Sequence, residues 1–130
     1  MNEIKISIEC LDHVALRVKD LKRSEDWYGK TLGLKKVLPA AWGNYPIFMV
    51  AENNTGVALF PSEKTTEKMI RKVDHFAFRI HLQEFQQTQE HLNGLGIEFQ
   101  FQDHVYFHSI YFEDPDGHTV EITTQVKPLE

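Results

Sequence analysis

The chain has 130 residues, the size of one ordinary globular domain. Its residues are 42% hydrophobic and 25% charged, a balance that excludes a disordered chain and predicts a packed core. The formal net charge is −5 and the basic residues are scattered among acidic ones, which argues against a nucleic-acid partner and favours a small-molecule ligand.

The N-terminal segment and the cysteine content limit the location of the protein and its type of site. Residues 1–10 contain no basic start followed by an apolar run, and no stretch of membrane-spanning length, so we expect a cytoplasmic protein with no membrane partner. Cys10 is the only cysteine, which excludes an intrachain disulfide and a thiolate metal cage. A metal site would therefore use histidine and carboxylate ligands.

An internal repeat divides the chain into two halves. The segment DHVALRV at residues 12–18 recurs 62 residues later as DHFAFRI, with four identities in seven. Two further pairs of segments align once one residue is inserted: 32–34 with 95–97, and 56–59 with 119–122. The repeat predicts a single domain over residues 1–130, with module one at about residues 9–61 and module two at about 71–126.

The first half begins with a strand and a helix. Residues 12–18 alternate polar and apolar side chains, as a half-buried strand does. Asp20 can cap the following helix, which Gly33 ends. Trp27, Tyr28, Thr31 and Leu32 recur at helical spacing along it.

The second half copies this plan, so each half is predicted to contain a strand, a helix and then further strands. Its helix carries Phe85, Leu92 and Leu95 and ends near Gly94 and Gly96. A tight turn at residues 114–117 makes the last two strands a hairpin. The remaining predicted strands are 46–50, 55–60, 98–101, 107–112 and 119–124. The predicted fold class is α+β.

Strand alternation places three metal-binding side chains on one side. His13 and His75 occupy equivalent points of equivalent strands, on the face opposite the helices, and Glu121 has the parity to share that face. Two imidazoles and one carboxylate suit a divalent ion and leave positions open for water or substrate. Fe(II), Mn(II), Ni(II) and Zn(II) are all candidates. The alternatives are surface histidines or a site that has lost its metal.

A family resemblance rests on motifs spread over nearly the whole chain. They are LDHVAL at 11–16, Trp27-Tyr28, LGL at 32–34, VDH at 73–75 and YFEDPDGHTVE at 111–121. In this order they resemble the vicinal-oxygen-chelate superfamily, which includes glyoxalase I, extradiol dioxygenases, fosfomycin-resistance enzymes and metal-free bleomycin-binding proteins. The resemblance implies two tandem βαβββ modules with curved mixed sheets that form a cleft.

The resemblance also implies a ligand set and an assembly. Ligands come from the first strand of each module and the last strand of a module, which transfers to His13, His75 and Glu121. Glyoxalase-like lyases are expected to add a fourth ligand where Ala58 stands, a departure that weakens the lyase or isomerase alternative. The modules of this superfamily pair within a chain or between chains, so we expect a homodimer and leave the pairing open.

Extradiol dioxygenases and fosfomycin-resistance enzymes both bind their metal through three ligands. Of the two reactions, we favour extradiol ring cleavage. Tyr111 matches the extradiol tyrosine about ten residues before the final ligand. Fosfomycin enzymes are expected to carry a hydroxyl residue where Ala15 stands, and residues 99–107 hold no Lys or Arg for a phosphonate. A protein that sequesters a drug or metabolite without catalysis is the rival from another class.

Other side chains near the predicted site could take part in its chemistry. His108, with Tyr111, is a catalytic candidate, and His104 has the same titratable chemistry near neutral pH. Trp42, Tyr45 and Phe48 either line the pocket or belong to the core.

Overall fold

A computed structural model describes residues 10–62, 73 and 75–128. Module one contains β1 (His13–Val18), α1 (Leu21–Leu32), β2 (Lys35–Val37), a 3-10 turn (Ala40–Trp42), β3 (Ile47–Val50) and β4 (Gly56–Pro61). Module two contains β5 (Phe76–Arg79), a 3-10 turn (Leu82–Glu84), α2 (Phe85–Gly94), β6 (Gln100–Asp103), β7 (Phe107–Glu113) and β8 (Thr119–Gln125). The βαβββ plan of two modules and the α+β class are confirmed.

The two sheets have the same topology. Their strand orders are β1-β4-β3-β2 and β5-β8-β7-β6, and in each the first strand pairs in parallel with the last while the other neighbours are antiparallel. The repeat in the sequence is therefore a repeat of mixed four-stranded sheets.

The helix ends form as their sequence indicates. The Asp20 carboxylate accepts a hydrogen bond from the Arg23 amide at 3.0 Å, which satisfies a backbone donor at the start of α1. Gly33 ends α1 in the left-handed conformation with φ 69°. The sequence predicts Leu95 on the second helix, but Leu95 follows α2 and is exposed.

Two elements differ from the sequence-based prediction. The sequence does not predict the short edge strand β2, because its three exposed residues carry no alternation of polar and apolar side chains. Strand β6 lies two residues later than predicted, and all four of its residues are exposed. No helix in the described part of the chain is long and apolar enough to cross a membrane.

Alternating side chains divide each sheet into a helix face and an open face. The helix face of the first sheet packs Leu16, Val18, Met49 and Leu59 with Tyr28 of α1. The helix face of the second packs Ile110, Phe112, Val120 and Ile122 with Phe85 and Leu92 of α2. Trp27, Leu32, Phe76 and Phe78 contact both clusters and so join the modules into one core. The opposite, open faces carry the candidate site residues.

Candidate metal centre

His75 and Glu121 meet on the open face of the second sheet. Strand β5 lies parallel to β8 with Ala77 opposite Glu121, so His75 enters the sheet beside the Glu121 side chain. His75 Nε2 lies 3.1 Å from Glu121 Oε1. Glu121 is buried with 8% of its surface exposed, whereas the His75 side chain is 38% exposed. A buried carboxylate beside an accessible imidazole is a pair that can bind a metal ion from solvent.

Tyr111 lies beside this pair and is held by a histidine. It is the cross-strand partner of Glu121, and its ring meets the His75 ring edge-on with centroids 5.8 Å apart. Its hydroxyl is 2.9 Å from His104 Nε2. A recess of about 980 Å³ lies between Tyr111 and Thr119 on one side and the segment 96–100, which leads into β6, on the other. The open face thus combines a pair of possible ligands, a phenol and an adjoining recess.

His13 lies on the open face of the first sheet. Its Nδ1 is 2.8 Å from Asp12 Oδ2, which leaves Nε2 as the ring nitrogen that can bind a metal. Within the part of the chain that the structure describes, no three His, Cys, Asp or Glu side chains are grouped closely enough to hold a metal ion. One chain therefore brings His75 and Glu121 together but does not add His13 to them.

Sheet register shows why a fourth ligand is missing. Ala15 pairs with Ala58 in the first sheet as Ala77 pairs with Glu121 in the second, so Ala58 occupies the position equivalent to Glu121. Glu52 lies in the exposed turn between β3 and β4, and Glu63 lies outside the described residues. Module one thus offers a histidine, and module two a histidine and a carboxylate.

The structure does not bring His108 to this site. His108 pairs with Asp103 across β6 and β7, with Nε2 3.6 Å from the carboxylate, and its ring contacts Phe101 and Phe85. These contacts place it toward α2, on the face opposite Tyr111. The alternation that directs Tyr111 outward directs His108 to the other side, and the loop residue His104 is the histidine that reaches the phenol.

A buried polar cluster that the sequence does not predict lies behind the site. Asp114, at the start of the β7–β8 turn, accepts hydrogen bonds from Tyr28 at 2.8 Å and, in the tautomer that donates from Nδ1, from His118 at 2.7 Å. Burial alone would raise the pKa of Asp114, but hydrogen bonds from His118 and Tyr28 outweigh it and hold that pKa below its usual value. Burial beside Asp114 raises the pKa of Tyr28. The turn motif contained Asp114, but nothing in it indicated a partner 86 residues away.

Comparison with known proteins agrees with this architecture. Metallothiol transferase FosB of Staphylococcus saprophyticus is 30% identical over 121 residues, 90% of this chain and 78% of that protein. The fosfomycin resistance protein FosX of Mesorhizobium loti is 27% identical with a TM-score of 0.66, covering 92% of this chain and 95% of that one. A glyoxalase/dioxygenase from Nostoc punctiforme, at 24% identity, has the same fold with a TM-score of 0.77 over 98% of this chain and 99% of that one.

The family model for the Glyoxalase/Bleomycin resistance protein/Dioxygenase superfamily matches residues 10–122. This match spans both modules and all three predicted ligand positions. The chain therefore belongs to the Glyoxalase/Bleomycin resistance protein/Dioxygenase superfamily.

Proposed function

We propose that this protein is a divalent-metal-dependent enzyme acting on a small molecule that binds through neighbouring oxygen atoms. The observation that carries the proposal is the convergence of His75 Nε2 and Glu121 Oε1, 3.1 Å apart, beside Tyr111 on an open sheet face. Two imidazoles and one carboxylate form a set that binds Fe(II), Mn(II), Ni(II) or Zn(II) and leaves coordination positions for substrate.

We further propose that the third ligand is His13 of a second copy of the chain. The repeat makes the two open faces equivalent, so a twofold pairing can set the first sheet of each copy against the second sheet of the other. Each of the two sites in such a homodimer then receives His13 from one subunit and His75 with Glu121 from its partner. Such sharing explains why one chain brings only two of the three proposed ligands together.

The protein side chains around the metal have separate roles in this proposal. When bound, the ion polarises a substrate oxygen and, if it is iron(II), also activates dioxygen. Tyr111 offers its hydroxyl to a substrate oxygen beside the metal ligands. His104 holds that hydroxyl at 2.9 Å and so orients it across the open face. Burial of Glu121 keeps its carboxylate in place for the ion.

Extradiol-type ring cleavage is the reaction that we favour, because Tyr111 lies beside the ligand pair and Ala58 rules out a fourth ligand from the equivalent strand. The same absence argues against a glyoxalase-like lyase or isomerase. Thiol transfer to fosfomycin is the second candidate, because FosB is a metallothiol transferase and FosX is a fosfomycin resistance protein. Against it, residues 99–107 hold no Lys or Arg for a phosphonate.

Metal retention is the first test of the proposed function. We expect the wild type, loaded and then desalted, to retain about one ion per chain, and His13→Ala, His75→Ala and Glu121→Ala each to lose it, because removal of one ligand from three leaves too weak a site. Elemental analysis measures this. His81→Ala is the matched control, because His81 is exposed and lies outside both open faces. A wild type that binds none of the four ions would leave the drug-sequestering protein as the better hypothesis.

Reaction type is tested with two substrates. The iron(II)-loaded protein should consume dioxygen with catechol, and Tyr111→Phe should lower kcat about 100-fold while retaining the metal, because a preorganised donor is lost. An oxygen electrode and metal analysis measure the two effects. Conversion of fosfomycin with a thiol, followed by phosphorus NMR, in the absence of oxygen uptake would instead establish the transferase.

A further inference from the structure

The open face of the first sheet carries exposed aromatic side chains. The Trp42 ring packs on Phe48 with centroids 5.2 Å apart, and Tyr45 packs edge-on against Phe60 at 6.5 Å. Trp42 is 43% exposed and Tyr45 is 47% exposed. Neither belongs to the two core clusters. These rings therefore line the open face instead of packing in the interior, which was the alternative left open by the sequence.

This aromatic surface is continuous with a proposed metal ligand. The centroids of the His13 and Phe48 rings are 5.0 Å apart. Phe48 faces Ala58 across the strands, and Ala58 faces Ala15, so small side chains separate the rings from the strand that carries His13. A flat group resting on Trp42 and Phe48 therefore lies next to the metal ligand of the same sheet.

The cross-strand neighbours of Phe48 are apolar. Its neighbour on β2 is Val37. The Arg17 guanidinium is already engaged, since it lies over the Phe60 ring at 5.0 Å and donates a hydrogen bond to the Pro61 carbonyl oxygen. A ligand group on the Trp42–Phe48 surface thus meets π-faces and methyl groups, which favour an uncharged planar group.

In the proposed dimer, the surface that faces Trp42 and Phe48 is polar. The open face of the second sheet carries Glu121, Tyr111 and the hydrogen-bonded hydroxyls of Ser109 and Thr123. A polar surface does not cover exposed aromatic rings well by direct packing, because its groups would lose water without gaining partners. A ligand with oxygens on one side and an apolar body on the other satisfies both surfaces.

We infer that Trp42 and Phe48 form a specificity surface that holds the planar apolar body of the substrate while its oxygens bind the metal, so the site selects aromatic over aliphatic chelators. The inference rests on the proposed function, because it takes the metal site as the anchor. Its ligand class is an uncharged aromatic or conjugated ring bearing neighbouring metal-binding oxygens. The same surface gives no advantage to a small aliphatic phosphonate.

The test compares two ligands that share one chelating group. Benzohydroxamate and acetohydroxamate both bind metals through two neighbouring oxygens but differ in a phenyl against a methyl group. Isothermal titration of each into metal-loaded wild type should show benzohydroxamate binding at least about tenfold more tightly. Trp42→Ala and Phe48→Ala should lose most of that preference while retaining the metal and the acetohydroxamate affinity.

A matched control variant completes the design. Phe101→Ala removes a ring with 50% exposure that contacts Phe85 and His108 on the other face of the second sheet, and it should keep the full preference. An unchanged preference in Trp42→Ala and Phe48→Ala, or no preference in the metal-loaded wild type, would overturn the inference but not the metal site.

Two further outcomes bear on the occupant of this surface. If Trp42→Ala and Phe48→Ala turn a dimeric protein into monomers by light scattering, the surface is an interface between copies and the inference is wrong. If the wild type retains no metal, the proposed function and the inference both fail. If both variants stay dimeric, keep the metal and lose the phenyl preference, the inference is supported.

Discussion

Gly56 shows how a single residue supports the site. It is the cross-strand neighbour of His13, and a β-carbon built on it would overlap the Met49 carbonyl oxygen and lie 2.9 Å from Val50 Cα. Because both obstacles are backbone atoms, no side-chain rotation can relieve them. Gly94, the last residue of α2, has no atom within 4 Å of the same built position.

We therefore predict opposite effects for two glycine substitutions. Gly56→Ala should lower the free energy of unfolding by about 2–3 kcal/mol, because β3 and β4 must separate locally. Gly94→Ala should leave it unchanged or raise it by up to about 1 kcal/mol, because alanine favours the helix and meets open space. Urea unfolding of both variants measures this. A Gly56→Ala protein as stable as the wild type would contradict the tight packing of these strands.

The ends of α1 are residue-scale features that the sequence predicts correctly. Asp20 and Gly33 end α1 as expected, because caps depend on a few neighbouring residues. The sequence does not decide whether His104 or His108 reaches Tyr111. His108 faces α2 and His104 faces Tyr111, and the reach of a loop histidine depends on the turn between β6 and β7, which has Val105 at φ 71°. Alternation does not extend into such a turn.

At the scale of elements, a buried carboxylate links α1 to the β7–β8 turn. Asp114 Oδ1 accepts from the backbone amides of Asp116 and His118, while Oδ2 accepts from the Tyr28 hydroxyl and the donating tautomer of His118. The Asp114 side chain is fully buried. This cluster connects the helix of module one with the final hairpin of module two, which carries Tyr111 and Glu121.

The cluster predicts a pH dependence of stability. Because the pKa of Asp114 is lowered on folding, its carboxylate contributes stability that is complete above the unfolded value of 3.8 and is lost as the pH falls through the folded value below it. Asp114→Asn should therefore cost about 2 kcal/mol at pH 7, since its amide nitrogen cannot accept from Tyr28. The difference from wild type should shrink below pH 3.8.

Urea unfolding between pH 3 and pH 7 measures that difference. Asp26→Asn is the matched control, because Asp26 is 60% exposed and its ion pair with Lys22 is on the surface, where it stabilises by only about 0.5 kcal/mol. A difference between wild type and Asp114→Asn that stays constant with pH would show that the Asp114 carboxylate is not the titrating group.

At the scale of the whole molecule, the proposed sharing of a metal site between subunits can be tested by complementation. A homodimer of His13→Ala or of His75→Ala lacks one proposed ligand in each of its two sites. A heterodimer of the two has one site that lacks both ligands and one that is intact, if His13 and His75 come from different subunits. Refolding the two variants together should then restore roughly a quarter of the wild-type metal content, because half of randomly paired dimers are mixed.

Metal content of the separately refolded variants is the baseline for this experiment. If His13 and His75 served one site within one chain, every chain would carry a broken site and mixing would restore nothing. That outcome would contradict the shared site while leaving metal binding by the wild type intact.

The sequence by itself determined the two modules, the strand faces and the candidate ligands. These follow from local periodicity and from the repeat, since alternation decides on which side of a sheet His75, Tyr111 and Glu121 lie. Only the tertiary structure decided that His75 and Glu121 meet while His13 lies apart, and that Asp114 lies buried against Tyr28. The first contact depends on the parallel pairing of β5 with β8, and the second on the packing of α1 against the β7–β8 turn. Both join residues far apart in the chain, which no local pattern encodes.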